Sequence, residues 1–121
     1  MNVLDSRTAP AEPGIDIRKL RPGTILLVEA EPWLYEIKVV HPVHGIVEIS
    51  SSDPHLRVAT VGQVLQSVRW PSLAAPIPSW LGKGLALEIR FRNGLYRTQP
   101  LTAASVKGTR EDGGRWSYEV F

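Results

Sequence analysis

The sequence predicts a mainly β protein, a small antiparallel sheet curled into a barrel of about six to seven strands. Three observations carry that expectation. Residues 33–40 and 85–91 alternate oily and wet side chains with a period of two. Asn93-Gly94 stands between two apolar-rich runs, the strongest short hairpin signal. Glycine and proline, ten of each, punctuate the chain at intervals that suit short strands. With 121 residues, 43% of them hydrophobic, the chain has the size and core of one domain.

The elements follow in order. Residues 1–14 include Pro10, Pro13 and Gly14 without periodicity and read as a flexible N-terminal arm; residues 15–121 read as the single domain. Asp16 is placed to cap one short turn, Ile17–Leu20. In Pro22-Gly23, proline presets φ at the second turn position and glycine supplies positive φ at the third, launching a strand Thr24–Glu29. Glu31-Pro32 breaks that strand. Trp33, Tyr35, Ile37 and Val39 then share one face; Leu34, Glu36, Lys38 and Val40 share the wetter one. A loop at 41–45 leads into a strand Ile46–Ser50 and a polar turn through Asp53-Pro54. Beyond it, apolar residues fall at 61, 64, 65 and 68, a helical spacing, and Thr60 with Gln63 fits a capping box. One short helix is therefore expected near 61–70, stopped by Pro71. Its valines and Gly62 argue instead for a strand. Residues 71–84 read as a crossing loop in which Trp80 plugs one end of the core. A two-residue turn at Asn93-Gly94 sets Phe91 opposite Tyr96 and Arg90 opposite Arg97. Strands Leu101–Lys107 and Arg115–Phe121 complete the sheet. The pattern after Pro22-Gly23 resembles SH3-like and related small barrels, a likeness of architecture that implies no role.

Four places are candidates for chemistry. Arg90, Arg92 and Arg97 on the hairpin, with Lys83 before it, form a basic group able to hold a phosphate, a nucleic acid or an acidic surface. An ordinary solvated face, neutralised by Glu88 or Glu119, is the plainer reading. His41 and His44 flank Pro42, with His55 further on, but loop spacing fixes no metal geometry; no metal and no cofactor are expected. The aromatics Trp33, Tyr35, Trp70, Trp80, Phe91, Tyr96, Trp116 and Tyr118 fall mostly on the apolar face, which favours core packing over base stacking. Trp33 and Trp80, each beside a proline or at a strand start, are the ones expected at the surface. Ser50, Ser51, Ser52 and Asp53 lack the elbow a nucleophilic serine needs.

Charge and composition narrow the function classes. The net charge is +2, too small for strong nonspecific adhesion to nucleic acid, but it divides unevenly. Residues 1–60 carry six basic and eight acidic side chains, residues 61–121 eight and four, so the C-terminal half is the basic one. No cysteine is present, which fits a reducing compartment. No apolar run is long enough to span a bilayer, and the first residues lack the basic head and apolar stretch of a signal peptide. Cytoplasmic residence without membrane contact is expected. The reading that follows is a noncatalytic protein-interaction or assembly module, not an enzyme. It would dock a protein partner or copies of itself through 30–34, 71–84 and the hairpin tip 90–97, with Trp33, Trp80 and Leu95 as anchors. The alternative is binding of nucleic acid or another polyanion through Lys83, Arg90, Arg92 and Arg97.

Overall fold

A computed structural model describes residues 13–69, 75–108 and 117–121. They form eleven strands: β1 (Gly14–Asp16), β2 (Ile25–Ala30), β3 (Trp33–His41), β4 (Ile46–Ser51), β5 (Thr60–Val68), β6 (Ile77–Pro78), β7 (Trp80–Gly82), β8 (Ala86–Phe91), β9 (Gly94–Pro100), β10 (Ala103–Lys107) and β11 (Ser117–Glu119). The main sheet is antiparallel in the order β11-β10-β2-β3-β4-β5-β8-β9, with β6 alongside β5. β1 and β7 pair separately.

The local sequence explains most joints. Gly23 takes the positive φ, +88°, that the Pro22-Gly23 turn requires, and its amide donates to Val39 O at 2.7 Å. Asp16 Oδ1 accepts from the Arg18 amide at 3.0 Å, capping the turn Ile17–Lys19. Glu31-Pro32, in cis, is the two-residue turn joining Ala30 to its partner Trp33. Alternation then fills the core: Leu26 and Val28 of β2, Ile37 and Val39 of β3, Val47 and Ile49 of β4 are all buried.

The helix expected near 61–70 is not formed. Thr60–Val68 is a strand held between β4 and β8, and Trp70 lies outside the described residues. The helical-looking spacing has a physical source. Leu65 is the extra residue of a bulge between Val64, opposite Ile89, and Gln66, opposite Glu88. The bulge shifts the phase, so the buried positions run Gly62, Val64, Ser67 while Val61 stays exposed. The supposed capping pair is spent elsewhere: Thr60 Oγ1 donates to Val58 O and Gln63 Nε2 to His44 O.

No closed barrel is found among the described residues: the order ends in β11 and β9, which share no ladder. The sheet is nevertheless strongly curled. Tyr35 on β3 and Tyr96 on β9 are four strand steps apart, about 19 Å across a flat sheet. Their hydroxyls are 2.7 Å apart. The β8–β9 end therefore folds back over β3, and their inner faces enclose one core. Register shifts in β3, β5 and β9 supply the bending.

The region 71–84 is only partly the expected loop. Residues 71–74 lie outside the described set, while Ile77–Pro78 and Trp80–Gly82 are short strands. Leu81, not Trp80, enters the core. Trp80 is half-buried, its indole laid against the backbones of Gly14 and Gly82 and its carbonyl accepting from Ser67 Oγ. Of the arm expected at 1–14, residues 1–12 are outside the described set and Gly14 pairs with Gly82 in β1.

Candidate functional site

The hairpin follows its predicted faces but not its predicted register. Phe91 pairs with Gly94, Arg90 with Leu95, Ile89 with Tyr96 and Glu88 with Arg97. β9 is thus displaced by two residues against β8, and Arg92-Asn93 occupies the turn. A two-residue slip keeps every side chain on its own face, so Phe91 and Tyr96 still meet edge to face, with ring centroids 6.2 Å apart. Its consequence falls on the arginines. Arg90 and Arg97 do not face each other as expected. Arg97 reaches the buried Glu88, with Nη2 2.5 Å and Nε 3.0 Å from Oε2. Gln66 Nε2 donates to the other carboxylate oxygen at 2.7 Å. The Gln66 bond first and the Arg97 bond second hold the Glu88 carboxyl below its ordinary pKa. Arg92 is exposed in the turn, and Lys83 lies beyond the other end of β8. The four cations therefore do not converge. What the outer side of the hairpin presents is Leu95, 60% exposed, directly opposite Arg90 and near Arg92.

A second polar group, not foreseen from the sequence, closes one end of the core. The buried Asp53 carboxylate accepts from Tyr96 Oη at 2.5 Å and from the His55 amide at 3.0 Å, with His55 Nδ1 also 3.0 Å away. These partners, Tyr96 first, hold Asp53 below its ordinary pKa. Burial, then the bond to Asp53, pushes the Tyr96 phenol strongly up; burial also raises Tyr35. Ser51 donates its one hydroxyl proton to Leu34 O at 2.7 Å and accepts from the Asp53 amide at 3.0 Å. Ser52 Oγ accepts from the Leu34 amide at 3.0 Å. The serine turn thus splices β4 onto the start of β3.

That splice forms one wall of a groove of about 640 Å³ on the outer face of β10, β2, β3 and β4. The register sets two rows across it. Glu119, Ser105, Leu27, Glu36 and Ser50 lie side by side, and Ala103, Glu29 and Leu34 form the next row. Phe121 and Arg57 also line it. Outward positions of a half-buried sheet are ordinarily polar, yet Leu34 is 60% and Leu27 44% exposed here. Three carboxylates and one guanidinium surround them. The expected docking loop 30–34 reaches this groove through Leu34, whereas Trp33 is half-buried against the core. Leu27 was hidden in the run Ile25–Val28, whose unbroken apolar character masks which residues point outward.

His41 closes β3, His44 ends the turn Pro42–His44, and His55 bonds Asp53. Among the described residues no group of three or more His, Asp or Glu side chains is placed to hold a metal ion, and no helix is long and apolar enough to cross a membrane. Trp70 and Trp116 lie outside the described residues; Tyr118 is exposed on β11. No family model, no curated protein and no solved structure matches this chain.

Proposed function

We propose that this protein is a noncatalytic interaction module that docks a protein partner in the groove on the outer face of β10-β2-β3-β4. The observation that carries the reading is the exposed pair Leu27 and Leu34 on the floor of a groove of about 640 Å³. Curling of the small sheet, in the manner of an SH3-like barrel, gives the outer face its shape. The arrangement around Asp53 supports a structural rather than catalytic role, because Ser51 commits its proton to Leu34 O and not to the His55 imidazole. The polyanion reading is the weaker one, since Arg97 is taken up by Glu88 and Lys83 is remote from the hairpin tip. A cysteine-free chain suits a cytoplasmic module.

Panning a displayed library of linear and hairpin peptides against the protein tests this. Enriched peptides should bind at least about tenfold more weakly to the variant Leu27→Asp with Leu34→Asp, a loss of about 1.4 kcal/mol. No enrichment, or peptides indifferent to the two substitutions, would reject the groove as the docking face.

A further inference from the structure

We infer that the partner taken up by the groove is a second copy of this chain, which inserts the outer side of its β8–β9 hairpin. The inference rests on the groove being a docking face and names its occupant.

Two surfaces of the same molecule match in kind. The groove offers Leu27 and Leu34 among Glu29, Glu36 and Glu119. The hairpin offers Leu95 with Arg90 opposite it across the ladder and Arg92 in the turn. Each is an apolar centre bordered by charge: three carboxylates against Arg57 leave the groove net acidic, whereas Arg90 and Arg92 make the hairpin tip basic. Such complementarity steers encounter and fixes the docked register.

The curl of the sheet decides how the two surfaces can meet. Tyr35 of β3 and Tyr96 of β9 touch through the interior, with hydroxyls 2.7 Å apart. Their strands therefore face each other across the core, and their outer faces point away from one another. The groove lies on the outer face at β3, and Leu95 lies on the outer face at β9. A molecule cannot fill its own groove with its own hairpin, and two molecules cannot do so reciprocally through one shared patch. The contact is head to tail, and each docking leaves one groove and one hairpin open, so assembly continues into a chain or closes into a ring.

This geometry makes a mixing test possible. Leu34→Arg spoils the groove and leaves the hairpin intact. Arg90→Ser with Leu95→Ser spoils the hairpin and leaves the groove intact. All three positions are exposed, so both variants should keep the thermal midpoint of the parent within a few degrees. In sedimentation equilibrium the average mass of the parent should rise with concentration up to about 1 mM. The association should weaken at least about tenfold in about 1 M salt, where charges are screened within about 3 Å. Each variant alone should stay at the mass of one chain. An equimolar mixture should form a species of two chains and nothing larger, because only one groove and one hairpin remain to meet. A parent that stays monomeric, a variant that still self-associates alone, or a mixture that restores nothing would each overturn the inference. Peptides that still enrich on the groove while the parent stays monomeric would sink the second copy and leave the docking face standing. Loss of both would sink both.

Discussion

Asp53 shows what a single carboxylate does in this fold. It is buried, and it is tolerated there because a phenol and an amide donate to it. Because its folded pKa lies below the ordinary value, the stabilisation it gives is complete above about pH 4 to 5 and is lost as pH falls through the folded pKa. Tyr96→Phe removes the strongest donor. It should cost about 1–2 kcal/mol in urea unfolding at pH 7, and the difference from the parent should be smaller at about pH 3, below the unfolded pKa, where that stabilisation is being lost. An equal cost at both pH values would mean that the carboxylate is not the partner that matters. The arginines give a second contrast at this scale. Arg97→Ala leaves the buried Glu88 with Gln66 alone and should cost about 1–2 kcal/mol, reduced from the value for a fully buried pair because Arg97 is half exposed. Arg90→Ala, which removes no ion pair with Glu88, should cost less than about 0.5 kcal/mol. If the two variants unfold at the same urea concentration, the Glu88–Arg97 pair does not contribute as described.

Strands and their irregularities decide how much could be read from the sequence. β3 was legible because its alternation is unbroken from Trp33 to Val39 and its turn residues are unambiguous. β5 was not, because the bulge at Leu65 inserts one residue and turns a two-residue beat into a spacing that imitates a helix. Gly62, which would weaken a helix, has another purpose in the strand. A Cβ there would stand 2.7 Å from Phe91 Cε1 and 3.0 Å from Ile89 Cγ2. The missing side chain is the space that Phe91 covers. Gly62→Ala should therefore destabilise by about 1–3 kcal/mol, the cost of overpacking, although alanine is the better residue for backbone entropy. A neutral or stabilising result in thermal unfolding would show that Phe91 moves aside freely. The hairpin was half legible. Asn93-Gly94 correctly marked a reversal between β8 and β9, and alternation gave the faces, but the pairing slid by two residues. That slide sets Glu88 opposite Arg97 and Ile89 opposite Tyr96, where Glu88 meets Gln66 and Tyr96 meets Asp53 and Tyr35, partners distant in sequence that leave no local trace.

The candidate groove belongs to the molecule as a whole, which is why the sequence singled out only Leu34 of its apolar centre and the serines Ser50, Ser51 and Ser52 of its wall. It is assembled from β2, β3, β4, β10, β11 and the turn carrying Arg57, brought side by side by the sheet order. The same order places the Tyr35–Tyr96 contact, 61 residues apart in sequence, where it ties the β9 end of the curl to β3. If that contact closes the core, its two partners must be energetically coupled. Tyr35→Phe and Tyr96→Phe should not add: their double variant should depart from the sum of the single losses by about 0.5–3 kcal/mol, since both remove parts of one network with Asp53. The coupling has a second signature. With the β8–β9 end folded over β3, amides of Ile37 and Ile89, both on core-facing positions, should exchange through the same global opening in native-state hydrogen exchange. In the Tyr96→Phe variant the hairpin should begin to open at lower denaturant than β3. Hairpin amides that already exchange well before those of β3 in the parent would show an end of the sheet that opens on its own, and the opposed outer faces required for head-to-tail docking would no longer be fixed relative to each other.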